Sequence, residues 1–138
     1  MPPHNAEALQ FLKSRRSRPA KTLQAPGPSR AELEELLEVA ARVPDHGKLE
    51  PWRFIVIEGA AMQRLAEAAE QAAKDAGLDA TQTAKARAQF DMGICAVAVV
   101  TSPVTSEKVP EIEQVYSAGA VCLSLVNAAL ASGWGANW

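Results

Sequence analysis

The sequence predicts one domain of mixed helix and strand, its elements in the order α-α-β-α-α-β-α. Three observations carry that reading: apolar residues at helical spacing, two short β-rich runs, and cap or breaker residues at the joints. At 138 residues the chain is long enough for one domain and too short for two ordinary ones, so residues 1–138 are read as one unit.

Asn5 can cap a first helix running to about Ser14, with Ala8, Leu9 and Leu12 on one apolar face. Ser17 to Pro28 carries three prolines and a glycine and reads as an extended linker. Ser29 and Glu32 make the S-x-x-E capping box of a second helix. Its Leu33, Leu36, Leu37, Ala40 and Ala41 form a buried stripe, and Pro44 ends it by excluding αR at Val43. Trp52 to Glu58, bounded by Pro51 and Gly59, is β-branched and aromatic and reads as a strand.

A third helix is expected from about Ala61 to Ala76, with Met62, Leu65, Ala69 and Ala73 inward and Gly77 as its C-terminal cap. Asp79 caps a shorter helix ending near Ala88. Ile94 to Thr101 is apolar at nearly every position, the pattern of a strand covered on both faces. Pro110 opens a long helix to about Ser132, amphipathic through Glu111, Glu113 and Gln114 and apolar on all sides from Ala118. Such a helix must be buried, in a core or against a partner chain. Two strands make a thin sheet for so much apolar helix, and Gly135-Ala136-Asn137-Trp138 is punctuation that normally leads into another strand. The expectation is a chain that is C-terminally incomplete or that completes its sheet with another subunit.

Nearly half the residues are hydrophobic and 22% are charged, the balance of a globular domain with a core. A formal charge of −2 argues against bulk affinity for nucleic acid or anionic membrane. Cys95 and Cys122 sit in separate apolar runs and the only histidines are His4 and His46, so a metal site has little material. Buried free thiols in a reduced compartment are expected instead. At the N-terminus the charges follow the apolar residues, the reverse of a secretory signal. No apolar stretch reaches the roughly 20 residues of a membrane span, since Ser124 and Asn127 interrupt Ala118 to Ala131. The expected location is cytoplasmic.

Two constellations could carry chemistry. Lys13, Arg15, Arg16, Ser17 and Arg18 place adjacent guanidinium forks and a hydroxyl where a phosphate could sit. Cations at a helix C-terminus also stabilise the macrodipole without any ligand. Arg42 with Pro44-Asp45-His46-Gly47, followed by Pro51-Trp52, forms an irregular loop between helix and strand, where ligand contacts often lie. Equally, Asp45 can be a turn residue, His46 solvated and Trp52 packing. There is no GxSxG, and Gly133-Trp134-Gly135 lacks both the preceding strand and the third glycine of a dinucleotide loop.

Taken in order, Arg15-Arg16-Ser17, the stretch from Arg42 to Ile57 (RVPDHGKLEPWRFIVI), the ICAVAVVT strand and the segment from Lys108 to Trp138 resemble the nitroreductase family. The likeness spans nearly the whole chain and is closest to the short bacterial branch with Pro-Asp-His before Pro-Trp-Arg-Phe. It implies an α+β flavoprotein fold with a central sheet flanked by helices, and a homodimer with non-covalent FMN at its interface. It also implies FMN contacts at Arg15, Arg16 and Ser17 on the phosphate and ribityl side, at Arg42 and His46 from the other subunit, and at Trp138. The end of the long helix, Ala128, Ala129, Leu130, Ala131, Ser132 and Gly133, matches the stretch that meets NAD(P)H. The implied chemistry is ping-pong electron transfer from NAD(P)H to nitroaromatic- or quinone-like small molecules, with no catalytic side chain required. The contrasting expectations are a non-enzymatic helical dimerisation module, or a truncated relative that does not hold FMN.

Overall fold

The computed structural model describes Met1 and residues 3–138. Helix α1 (Ala6–Ser14) begins where the Asn5 side chain accepts a hydrogen bond from Ala8 N–H at 2.9 Å. None of its residues is buried, so the apolar face of Leu9 and Leu12 lies open. The proline-rich connection after it contains one short 3₁₀ turn, Ala20–Thr22.

Helix α2 (Arg30–Ala40) starts on the capping box the sequence spells: Ser29 takes the Glu32 N–H while Glu32 takes the Ser29 N–H. Leu33, Leu36 and Ala40 are buried, whereas Ala41 is exposed, because the helix already ends there and the chain turns toward Pro44. Strand β1 (Trp52–Glu58) pairs antiparallel with β2 (Cys95–Thr101), with Trp52 opposite Thr101 and Glu58 opposite Cys95. Among the described residues these two strands form the sheet.

Between them run α3 (Ala60–Asp75) and α4 (Ala80–Asp91), packed on each other. Gly77 at φ +71° lets α3 close in a Schellman turn, with Leu78 N–H donating to Ala73 O and Gly77 N–H to Lys74 O. Helix α4 runs three residues beyond Ala88, since Arg87 pairs with Asp91 one turn on and with Glu70 of α3, which holds the last turn in place.

Helix α5 (Glu111–Ala131) lies antiparallel on α2. Leu36 packs on Ala128 and Ala129, Ser124 Oγ donates to Val39 O at 3.2 Å, and Ser117 Oγ donates to Pro44 O at 2.9 Å. By length and composition alone α5 is apolar enough to cross a membrane. Ser124, one of the residues that interrupt its apolar run, ties it to α2, and Ser117 ties it to the loop that follows α2. From Ala118 on, where burial in a core or against a partner chain is expected, Leu123 stays exposed within one chain, on the same face as Ile112 and Tyr116. The cover on β2 is also incomplete. Cys95 to Val100 are half-buried, and a cavity of about 540 Å³ lies between Cys95, Ala96 and Val97 on one side and Leu36, Leu125 and Trp134 on the other.

Candidate functional site

The arginine segment begins where α1 stops. Arg15 leaves helical geometry (φ −58°, ψ 140°) while its N–H still donates to Phe11 O, so the side chains after it are directed by an extended backbone. Arg15 is half-buried, and its Nε is buried without a hydrogen-bond partner. Arg16 and Ser17 are exposed. Among the described residues, no carboxylate forms an ion pair with Arg15, Arg16 or Arg18. A buried guanidinium N–H with no acceptor is costly, and an anionic ligand oxygen would satisfy it.

What fixes this segment is the chain that follows α5. Gly133 at φ +86° closes a second Schellman turn, with Trp134 N–H donating to Ala129 O at 2.9 Å and Gly133 N–H to Leu130 O. Trp134 and Ala136 then pack on the Leu36, Ala128 and Ala129 cluster. There Arg18 N–H donates to Ala136 O at 2.8 Å, and Asn137 Nδ2 donates to Arg18 O at 3.0 Å. A Cβ at Gly135 would stand 2.6 Å from Leu23 Cδ2, so glycine is what permits the close approach. The structure thus brings Arg15, Arg16 and Ser17 to the same end of α5 as Trp138, which is largely exposed. Of the Ala128 to Gly133 stretch, Ala128 and Ala129 are buried against Leu36, and Ala131, Ser132 and Gly133 are exposed.

The second constellation sits at the other end of α5. Gly47, Lys48 and Glu50 all have positive φ (77°, 53° and 48°), two of them carrying side chains that disfavour that region. Asp45 holds the tight loop, its carboxylate accepting from Glu50 N–H at 2.8 Å and its carbonyl accepting from Lys48 N–H. Held strain of this kind gathers at functional sites. His46 is exposed, and its Nδ1 lies 2.8 Å from Glu113 Oε2 in the first turn of α5. Arg42, also exposed, lies between the points where Val39 and Pro44 touch α5. Glu113 entered the sequence reading only as a polar helix residue.

Within one chain the two constellations do not meet. His46 is tied to Glu113, while Ala136, the partner of Arg18, packs beside Ala129. The sixteen residue steps from Glu113 to Ala129 separate them by roughly 24 Å at the rise of an α-helix. Among the described residues, no cluster of three or more His, Cys, Asp or Glu side chains is placed to hold a metal. Both thiols are poorly ionised: burial pushes Cys95 upward, the charge of Glu58 adding to it, and burial pushes Cys122 upward too.

The sequence profile of the nitroreductase family matches residues 12–138. The chain belongs to the nitroreductase family. It is 37% identical over 132 residues to YdjA of Escherichia coli strain K12, which carries the name NAD(P)H nitroreductase; the match covers 96% of this chain and 71% of that protein. A Haemophilus influenzae protein named in the same way is 36% identical over 133 residues, with the same coverage. Among solved structures, a nitroreductase-like family protein from Bacillus cereus superposes with a TM-score of 0.72 at 20% identity, over 96% of this chain and 68% of that one. The FMN-dependent nitroreductase NfnB from Mycobacterium smegmatis, solved in complex with NADPH, gives 0.69 at 18% identity over 91% and 71%. The α+β nitroreductase fold and a nitroreductase-type enzyme, both implied by the resemblance, are borne out.

Proposed function

We propose that this nitroreductase, one domain over residues 1–138, binds FMN between two copies of the chain. It passes electrons from NAD(P)H to nitroaromatic- or quinone-like acceptors in a reducing, cytoplasmic setting. The observation that carries the reading is the pair Arg15 and Arg16, without an ion-paired carboxylate among the described residues, with Arg15 Nε buried and lacking an acceptor. That donor set fits a phosphate monoester, which takes charge-assisted hydrogen bonds from guanidinium forks. Relatives named as FMN-dependent and NAD(P)H-linked support the cofactor and the electron source.

When bound, FMN supplies the hydride and electron chemistry. The residues of the chain hold and orient. Arg15 and Arg16 neutralise the phosphate, Ser17 adds a hydroxyl contact, and Trp138 flanks the same end. Arg42 and His46 reach the ligand from the second copy, which is what the separation of roughly 24 Å along α5 requires of residues sharing one ligand. The exposed α5 face of Ile112, Tyr116 and Leu123 supports the pairing of two copies. The exposed part of Ala128 to Gly133 is the surface for the nicotinamide cofactor. NAD(P)H leaves before the acceptor arrives, so the kinetics are ping-pong. None of this needs a side-chain nucleophile or general acid.

The test is direct. The purified protein shows flavin absorbance, or acquires it on adding FMN, and then oxidises NAD(P)H with a nitroaromatic or quinone. The double variant Arg15→Ala with Arg16→Ala binds FMN much more weakly while its circular dichroism is unchanged. Protein that stays colourless with excess FMN, or a double variant with undiminished affinity, would overturn the reading.

A further inference from the structure

We propose that Glu113 is the positioning residue for His46: its carboxylate keeps the imidazole proton on Nδ1 and leaves Nε2 as the nitrogen offered to the ligand. The proposal rests on the reading of His46 as an FMN contact. A carboxylate oxygen only accepts, so the 2.8 Å contact from Nδ1 to Glu113 Oε2 requires the proton on Nδ1. A histidine whose one nitrogen is fixed by a carboxylate has its tautomer and ring plane set, and the other nitrogen becomes the working atom.

Magnitudes separate this role from a merely structural one. The two side chains are 60% and 45% exposed, and an ion pair so open to water contributes little to stability. The loop is already anchored without it. Ser117, one turn along α5, is buried and donates to Pro44 O at 2.9 Å, and Asp45 braces Glu50 N–H. What the backbone anchors do not decide is how the ring is turned or which nitrogen carries the proton. Glu113 decides both, from an element 67 residues away in sequence.

Nitrogen NMR of ¹⁵N-histidine protein reads the tautomer directly, since the chain has only His4 and His46 and the variant His46→Ala assigns the second. Above neutral pH, wild-type His46 shows the Nδ1–H form, and Glu113→Ala moves the proton to Nε2, which an unconstrained imidazole favours. In parallel, FMN affinity by fluorescence titration falls roughly tenfold in Glu113→Ala, the size of one charge-assisted hydrogen bond. Glu113→Ala added to His46→Ala causes no further loss, because Glu113 acts only through the ring. An unchanged tautomer in Glu113→Ala sinks the proposal whatever the affinity, and so does a further loss in the double variant. If His46→Ala alone leaves FMN affinity intact, it is the reading of His46 as a ligand contact that fails.

Discussion

Arg18 and Ala136 are joined by a 2.8 Å backbone hydrogen bond that fastens the arginine segment to the residues following α5. Neither segment has regular structure there, so each is held in shape by the other. Asn137 adds the second tie, from its side-chain amide to Arg18 O. Asn137→Ala removes that tie at an exposed position, where a hydrogen bond is worth about 1 kcal/mol. The expected outcome is FMN affinity lowered several-fold with the melting temperature nearly unchanged, read by flavin fluorescence and by thermal denaturation.

Gln114 makes a contrasting case, because its role is structural. It is 2% exposed; its Oε1 accepts from Val104 N–H, and its Nε2 donates to the carbonyls of Val104 and Val109. Gln114→Leu keeps much of the volume and strands all three backbone groups. Urea unfolding should show a loss of about 2–4 kcal/mol, several times the cost expected for an exposed polar position.

The α3–α4 pair carries a pH dependence. Lys74 and then Arg87 hold the Glu70 carboxyl below its ordinary value of 4.5. A carboxyl lowered by folding contributes stability that is present above the ordinary value and lost as pH falls through the folded one. Wild type should therefore melt at a higher temperature than Glu70→Gln at neutral pH. The gap should narrow progressively below about 4.5, as followed by circular dichroism at a series of pH values. A gap independent of pH would contradict the assignment.

Cys95 lines the cavity between β2 and the helices, and burial there keeps its thiol protonated. Since the thiolate is the reactive form, iodoacetamide should label Cys95 slowly in the native protein at neutral pH and rapidly in urea. Mass spectrometry of timed samples distinguishes this from a thiol that reacts at the rate of a small-molecule standard.

Much of the architecture was legible because it is written locally. The Ser29–Glu32 box, the Asp79 cap, Gly77 and the two β-rich runs each specify their element within a few residues of chain. The Arg-Arg-Ser triplet was also visible, since two adjacent guanidinium groups beside a hydroxyl need no partner to be noticed. What was not legible is everything decided by contact at a distance. Nothing in the amphipathic start of α5 marks Glu113 as the partner of His46. Nothing in Gly135-Ala136-Asn137 announces that its backbone and amide will close on Arg18. The stretch of α4 beyond Ala88 likewise depends on Glu70, a residue of another helix.

The separation of the two constellations along α5 has a genetic consequence. If each ligand is served by the arginine end of one copy and the histidine end of the other, lesions at the two ends of one subunit fall in different sites. A subunit carrying Arg15→Ala and Arg16→Ala, paired with a subunit carrying His46→Ala, concentrates all the damage in one site and leaves the other whole. Two alleles, each crippled alone, should therefore restore part of the activity when expressed together. Two lesions at the same end should not complement.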